Sequence, residues 1–327
     1  MPKGTDITEQ NGTFQKGLSI NPKKFKDQYR TAEGKKRAKV SFNGLETLWF
    51  NTGSLCNITC TGCYMESSPR NDFLSYLNLS EVNYFIEEAL KNKFPLKKVA
   101  FTGGEPFMNP QILEIIEAVL NKQLPILILS NGMKPFLNRR HNLLKLKKKY
   151  EEKFSIRISI DHYNQLKHQK IRGDKSWDPM MKGLRWLAKH GFTLSVAARN
   201  CWDETELQTR EGYHKLFKKE NISVDSFNPS QLVLFPEMNK TLDVPEITSD
   251  CFDILQKRPE DLMCASSRMI IKRKGAAKPV VVPCTLLPFS RTFEMGSTLS
   301  SASKSVYLNH PHCAKFCVLG GGSCTTN

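Results

Sequence analysis

From residue 44 onward, the sequence alternates short apolar runs with segments whose apolar residues recur at helical spacing. This alternation is typical of parallel strands joined by helices, the βαβ arrangement. The predicted strands are residues 47–50, 99–101, 126–129, 156–160, 194–197 and 231–234. These strands predict an α/β fold, a partial (β/α)6 barrel of the TIM type, whose chemistry lies at the carboxyl ends of the strands. Ser80 is the predicted N-cap of the helix after the first strand.

The same pattern divides the chain of 327 residues into three parts. Residues 1–43 are polar and rich in lysine and arginine, and they predict a basic N-terminal extension. Residues 44–235 carry the strand and helix alternation and form the predicted core domain. After residue 236 the alternation stops, and residues 236–327 predict a small cysteine-rich C-terminal domain. A hydrophobic fraction of 39% is ordinary for a chain of this length and predicts a globular protein.

Three cysteines follow the first predicted strand within eight residues: Cys56, Cys60 and Cys63. Three thiolates on one short loop can bind three irons of a cubane cluster and leave the fourth iron open to another ligand. A zinc site is the alternative, although structural zinc usually takes four protein ligands and no fourth ligand lies nearby in the sequence. The spacing alone leaves both metals open.

A second motif, Gly103-Gly104-Glu105-Pro106, follows the second predicted strand. The glycines allow the backbone to approach a ligand closely, and the glutamate can accept hydrogen bonds from an ammonium group. The proline limits the turn.

Together, in this order and separation, the two motifs resemble those of the radical S-adenosylmethionine (SAM) superfamily. The resemblance implies that Cys56, Cys60 and Cys63 bind a 4Fe–4S cluster whose open iron is chelated by the methionyl group of SAM. It also implies that residues 103–106 hold the methionyl ammonium, and that the reduced cluster cleaves SAM to a 5'-deoxyadenosyl radical. One departure concerns the position before the third cysteine, where many members have an aromatic residue; here it is Gly62, and Tyr64 is the candidate substitute.

Polar residues end the later strands, where a parallel barrel places its site. The resemblance implies contacts with the ribose and carboxylate of SAM for residues after the fourth and fifth strands. The candidate SAM-binding residues at the strand ends are Ser130, Asn131, Ser159, Asp161, Arg199 and Asn200. For Asp161 and Asn200, capping of a helix or turn is the alternative role. Cys201 follows the fifth strand and is the candidate catalytic residue, as a hydrogen-atom donor or acid/base, with an inert buried thiol as the alternative.

The second group of cysteines lies in the last quarter of the chain: Cys264, Cys284, Cys313, Cys317 and Cys324. The first two flank a predicted β-hairpin. The arrangement resembles the SPASM and twitch extensions of the superfamily, which bind auxiliary iron–sulfur clusters. It implies one auxiliary 4Fe–4S cluster held by the first two cysteines and two of the other three, with a zinc ribbon as the alternative. His310 and His312 are predicted to lie at the surface or beside the ligands.

The net charge of +16 indicates an acidic partner, whether nucleic acid, phosphorylated metabolite or acidic peptide. No apolar stretch is long enough to span a membrane, and the first residues lack the apolar core of a signal peptide. We therefore expect a cytoplasmic protein without a membrane partner, and a reducing cytosol suits iron–sulfur chemistry and ten cysteines.

The resemblance implies a radical SAM enzyme that abstracts a substrate hydrogen, with a peptide or a small-molecule cofactor precursor as the substrate that is oxidised or cross-linked. It also implies an external one-electron donor such as flavodoxin or ferredoxin. The second hypothesis, prompted by the charge, is radical modification of a nucleic acid or nucleotide. The third is a non-catalytic iron–sulfur sensor or scaffold.

Overall fold

The computed structural model describes residues 19–150, 153–236 and 243–321. Within these ranges the strands are β1 (Lys39–Val40), β2 (Thr47–Asn51), β3 (Lys98–Thr102), β4 (Ile126–Ser130), β5 (Phe154–Ser159), β6 (Thr193–Asn200), β7 (Leu232–Pro236), β8 (Ser267–Ile271), β9 (Val280–Val282) and β10 (Val306–Tyr307). The α-helices there are α1 (Leu79–Lys91), α2 (Ile112–Asn121), α3 (Lys134–Tyr150), α4 (Gln165–Arg172), α5 (Trp177–Lys189), α6 (Glu206–Lys219) and α7 (Asp250–Ile254), and a π-helix spans Cys313–Leu319.

One sheet contains eight of these described strands, in the order β7-β6-β5-β4-β3-β2-β8-β9. Every neighbouring pair from β7 to β8 is parallel, and β9 is antiparallel to β8. The six predicted strands correspond to β2 through β7, and helices α1 to α6 connect them. The predicted α/β class and its partial (β/α)6 barrel are confirmed.

The C-terminal segment adds two strands to this sheet. The predicted hairpin between Cys264 and Cys284 is present as β8 and β9, with Met269 opposite Val282. The sequence did not predict that β8 would also pair in parallel with β2, where Leu48 lies opposite Arg268. Because β8 continues the core sheet, the segment that carries the second cysteine group is joined to the barrel by a hydrogen-bonded ladder. The domain boundary at residue 236 stays a prediction.

Apolar residues bury the strands of the sheet. Strand β2 is buried along its whole length, as expected for a parallel strand covered on both faces. Helix α1 packs its apolar stripe against the sheet, with Val82, Phe85, Ile86 and Ala89 buried. None of the described helices has the length and apolarity that crossing a membrane requires.

The N-cap of α1 is Asn78, and the prediction of Ser80 was wrong. Asn78 has an extended backbone, and its side chain accepts the backbone N–H of Glu81. Glu81 in turn accepts the backbone N–H of Asn78, which completes a capping box. The hydroxyl of Ser80 lies inside the first turn and donates to Oδ1 of Asn78.

The described part of the N-terminal segment, residues 19–43, packs against the C-terminal part of the chain. Strand β1 pairs antiparallel with β10. The guanidinium of Arg37 is fully buried and donates to Glu246 Oε1 at 2.5 Å and to the carbonyl of Leu308 at 3.3 Å. This part of the predicted basic extension is therefore an ordered structural element, while residues 1–18 lie outside the described residues.

Candidate active site

The loop with the first three cysteines begins just after β2 and lies over the carboxyl end of the sheet. Its backbone is held at both ends: the N–H of Cys56 donates to the carbonyl of Ser68 at 3.1 Å, and the N–H of Thr61 donates to Ile171 at 2.7 Å. All three cysteines, Cys56, Cys60 and Cys63, line one cavity. The volume of this cavity is about 920 Å³, which includes the part that is open to solvent.

Burial keeps two of these thiols protonated in the protein alone. It raises the pKa of Cys56 to about 12, and the nearby charge of Glu105 adds to this effect. Burial also raises the pKa of Cys60. The thiolate is the form that binds metal, so binding at this loop must release protons.

The Gly-Gly-Glu loop after β3 packs directly against the cysteine loop. The N–H of Gly104 donates to the carbonyl of Gly53 at 2.8 Å, and the N–H of Glu105 donates to the carbonyl of Leu55 at 3.1 Å. A Cβ added to Gly104 would lie 2.1 Å from the carbonyl oxygen of Leu55, the residue before Cys56. Only glycine permits this approach of the two backbones. Gly103 and Gly104 both line the cavity.

Replacing Gly104 by alanine is expected to displace the cysteine loop. Overpacking of this kind typically costs about 1–3 kcal/mol, and here we expect the upper part of that range because the atoms that the added Cβ would meet belong to the backbone of Ser54 and Leu55. The displaced loop should also bind less iron per chain after anaerobic reconstitution. Urea unfolding and an iron assay measure the two effects.

The matched control is Gly275→Ala in the turn between β8 and β9. A Cβ at Gly275 would meet nothing within 4 Å, although its φ of +76° imposes a backbone strain of about 1–2 kcal/mol on alanine. The control should therefore lose stability without losing iron. Wild-type stability and full iron content in Gly104→Ala would contradict this account of the loop.

The carboxylate of Glu105 connects two loops and does not line the cavity. It accepts the hydroxyl of Ser130 at 2.9 Å and the backbone N–H of Asn131 at 2.8 Å, and Glu105 is only 1% exposed. Burial raises its pKa to about 7, against the lowering effect of these hydrogen bonds. Pro106 opens a buried 3₁₀ turn away from the cavity. A direct contact of Glu105 or Pro106 with an ammonium group therefore stays a prediction.

Ser130, Asn131 and Ser159 line the cavity, as the strand-end rule predicts. The side-chain amide of Asn131 donates to Sγ of Cys56 at 3.8 Å. Asn131 therefore connects the loop after β4 to the first cysteine.

A buried ion-pair network occupies one wall of the cavity. Asp161 accepts Nε of Arg172 at 2.6 Å and lies 3.3 Å from Nε of Arg199. Burial by itself raises the pKa of Asp161, but the charges of Arg172 and Arg199 outweigh it, so this pKa lies below its ordinary value of 3.8. Asp161 is thus negative at neutral pH and fixes both arginines.

Sequence reasoning gave Asp161 and Arg199 as candidates but did not include Arg172. Arg172 is the last residue of α4, and the rule that selects strand ends does not reach it. In the sequence Arg172 precedes Gly173, which is a pattern typical of a helix end and does not indicate a position in the cavity.

The structure gives a physical reason for Gly62 in the cysteine loop. Its φ is +64°, and a Cβ there would lie 3.1 Å from Nη1 of Arg199. The same Nη1 donates to the carbonyl of Thr61 at 3.1 Å. Arg199 therefore occupies the space that a larger side chain at position 62 would need. Tyr64, which follows Cys63 in the sequence, lines the cavity.

Two other candidates are not part of the described cavity lining. They are Asn200 and Cys201, which lie near the end of β6. The catalytic role of Cys201 stays a prediction without positional support.

The apolar part of the cavity lining includes residues that the sequence did not indicate. They are Leu129, Ala197, Phe235, Leu286 and Phe316. The last two come from the C-terminal segment, which brings that segment into the site.

Among the described residues, four cysteines of the second group line a separate cavity: Cys264, Cys284, Cys313 and Cys317. Burial raises the pKa of Cys264 to about 11 and that of Cys313 to about 12. Buried His312 lines the same cavity. Cys324 lies outside the described residues. Within those residues, no group of three or more His, Cys, Asp or Glu side chains is arranged to hold a single metal ion.

The sequence model of the Radical SAM superfamily matches residues 50–199, from within β2 to within β6. That span contains the cysteine loop, the Gly-Gly-Glu loop and the ion-pair network around one cavity. Residues 50–199, a little under half of the chain, therefore carry a Radical SAM domain, and members of that superfamily use a 4Fe–4S cluster and SAM.

Among curated proteins, the chain is similar to the antilisterial bacteriocin subtilosin biosynthesis protein AlbA of Bacillus subtilis, with 26% identity over 271 residues, 77% of this chain and 57% of AlbA. It is also similar to a probable GTP 3',8-cyclase of Pyrococcus horikoshii, with 27% identity over 43% of this chain and 42% of the cyclase.

Among solved structures, Streptococcus suis SuiB has a similar fold. Its structure bound to S-adenosylmethionine gives a TM-score of 0.56 at 13% identity, over 78% of this chain and 63% of SuiB. Its structure bound to precursor peptide SuiA gives a TM-score of 0.55 at 12% identity, over 78% of this chain and 62% of SuiB. The chain thus spans less than two thirds of the length of AlbA and of SuiB.

Proposed function

We propose that this chain is a radical SAM enzyme that modifies a peptide. The observation that carries the proposal is that the three-cysteine loop and the Gly-Gly-Glu loop face one cavity at the carboxyl ends of the parallel strands. When bound, the cluster and SAM supply a 5'-deoxyadenosyl radical that abstracts a hydrogen atom from the substrate.

The donor set at the first site fits such a cluster. Cys56, Cys60 and Cys63 offer three thiolates from one loop, and the cavity leaves a side of that loop open. The backbone of Gly103 and Gly104 would hold the methionyl group. Ser130, Asn131 and Ser159 offer further hydrogen-bonding groups to SAM.

The ion-pair network would orient the carboxylate of SAM. Asp161 keeps Arg172 and Arg199 in place, and two guanidinium groups with one carboxylate leave a net positive charge in the wall. Positive charge in a largely buried wall attracts an anionic group strongly because little water screens it.

The second cysteine cavity would hold an auxiliary 4Fe–4S cluster. Cys264, Cys284, Cys313 and Cys317 supply four thiols to one cavity, which is a complete ligand set without Cys324. Zinc is the alternative occupant of the same ligands. This arrangement supports the interpretation of residues 236–327 as a SPASM-like or twitch-like extension.

Two relatives favour a peptide as the substrate. AlbA is named for the biosynthesis of a bacteriocin, and SuiB is seen with a precursor peptide. A flavodoxin or ferredoxin would supply the electron, as the resemblance implies. Oxidation or cross-linking of a side chain is the reaction class we propose.

A nucleotide or nucleic acid is the second candidate substrate. The cyclase relative and the net charge of +16 favour it. RNA that is retained by the purified protein at low salt and released at higher salt would support it, because phosphate contacts are weakened by salt. Absence of retained RNA would favour the peptide.

The proposed activity is tested with wild-type protein after anaerobic reconstitution with iron and sulfide. Chemical reduction with SAM present should yield 5'-deoxyadenosine and methionine, measured by mass spectrometry. Full iron loading without 5'-deoxyadenosine would contradict the enzyme proposal and favour a sensor or scaffold.

A further inference from the structure

The charged groups of the first cavity already have partners on its polar wall. Within its described lining, the arginines are Arg172 and Arg199, and both contact Asp161. The carboxylate of SAM is the ligand group that this wall suits. A substrate carrying phosphates or a charged side chain would then find no second cationic or anionic cluster among the described lining residues.

The apolar wall of the cavity is formed by five residues, Leu129, Ala197, Phe235, Leu286 and Phe316. Phe235 on β7 and Phe316 on the π-helix Cys313–Leu319 face each other with ring centroids 5.2 Å apart. Leu286 lines the same wall. Leu286 and Phe316 are 5% and 2% exposed, so a group that contacts them leaves water.

Part of the apolar wall also borders the second cavity. Leu286 lines both cavities, and it lies two residues after Cys284. Phe316 immediately precedes Cys317, which lines the second cavity. The segments that carry the second cysteine group therefore supply part of the apolar surface of the first site, through Leu286 and Phe316.

We infer that Phe235, Leu286 and Phe316 bind an apolar side chain, aliphatic or aromatic, of the peptide substrate. This inference rests on the proposed function and names the class of side chain that the enzyme modifies. Apolar contact stabilises such a side chain in proportion to the area removed from water. A charged side chain in the same place would lose its hydration without gaining a partner.

The test uses the full chain, loaded with iron–sulfur clusters and SAM, and four small probes. The probes are the N-acetyl methylamides of leucine, phenylalanine, lysine and glutamate. Equilibrium dialysis under anaerobic conditions, with mass spectrometry of both chambers, gives each dissociation constant. The leucine and phenylalanine probes should bind at least about tenfold more tightly than the charged probes.

Variants locate the binding. Phe316→Ser and Leu286→Ser should each raise the dissociation constants of the leucine and phenylalanine probes by about fivefold or more. Phe316→Leu and Leu286→Met keep the wall apolar and should retain most of the affinity, which separates loss of the surface from misfolding. The control is Phe73→Ser, because Phe73 is 65% exposed and does not line the cavity. Iron content is measured in every variant, since both residues lie beside the second cavity.

Three results would each overturn the inference. They are tighter binding of the lysine or glutamate probe, no saturable binding of the apolar probes, and unchanged binding of the apolar probes in both serine variants. The same wild-type samples are assayed for 5'-deoxyadenosine without substrate. Production of 5'-deoxyadenosine without apolar binding overturns the side-chain assignment alone, whereas no production overturns the proposed function itself.

Discussion

Cys56→Ala is expected to lower the rate of SAM cleavage by more than about a hundredfold, beyond the usual effect of losing a group that only supports a metal ligand. Cys56 is one of three thiols on the loop, and its removal leaves the cluster with too few ligands to hold it. Cys284→Ala should retain a measurable fraction of cleavage, because Cys284 lines the second cavity. The measurement is 5'-deoxyadenosine formed per chain under strong reduction.

The matched control for both changes is Cys251→Ala. Cys251 lines neither cavity, and its sulfur lies 3.4 Å from the hydroxyl of Thr248. Its loss should leave cleavage within about twofold of wild type, the usual range for a change away from the site. Equal cleavage by Cys56→Ala and wild type would remove the basis of the site assignment.

Asp161→Asn is expected to lower the free energy of unfolding by about 3–5 kcal/mol at neutral pH. The neutral amide has nearly the same shape as the carboxylate but leaves Arg172 and Arg199 without their counter-charge. The side chains of these arginines are only 13% and 12% exposed, so solvent compensates little. Urea unfolding with a fluorescence readout measures the difference.

The effect should depend on pH in a defined direction. The pKa of Asp161 is lowered in the folded protein from its ordinary value of 3.8. A lowered pKa contributes stability that is fully present above that ordinary value and is lost as pH falls through the folded pKa. The difference in free energy of unfolding between wild type and Asp161→Asn should therefore be constant from roughly pH 5 to 7, where an ordinary carboxyl group is ionised. It should shrink as the pH falls further.

The exposed Asp174 provides the control, and Asp174→Asn should change stability by less than about 0.5 kcal/mol. A loss of similar size in both variants would show that the network contributes no more than an exposed carboxylate.

The features that the sequence predicted well depend on local pattern. The strands β2 to β7 are short apolar runs bounded by polar residues, and each run indicates its own strand. The first cysteine loop and the Gly-Gly-Glu loop follow two of those strands directly. Residues at the ends of parallel strands meet at one edge of a sheet, so these loops share a cavity.

The features that were missed depend on contacts between distant residues. Leu286 and Phe316 are ordinary apolar residues in the sequence, and long-range contacts such as the pairing of β8 with β2 and the packing of Phe316 on Phe235 bring their segment to the barrel. Arg172 ends a helix and reaches Asp161 through its long side chain. His312, by contrast, was predicted at the surface or beside the ligands, and it is buried in the second cavity with four of the candidate ligand cysteines.

The N-cap of α1 was predicted at the wrong residue because two nearby residues both suit that position. Ser80 and Asn78 are both good N-cap residues, and their order in the sequence does not decide between them. The choice follows from Glu81, which lies three residues after Asn78 and completes the capping box.

The central claim is that the chain holds two separate iron–sulfur sites, of which only the first cleaves SAM. The most direct measurement compares wild type with a variant in which Cys56, Cys60 and Cys63 are all alanine, and it records iron content and 5'-deoxyadenosine on the same samples. We predict roughly eight irons in wild type and roughly four in the variant, since each cubane cluster holds four, with 5'-deoxyadenosine from wild type alone. Loss of all iron in the variant, or 5'-deoxyadenosine produced without these cysteines, would contradict the claim.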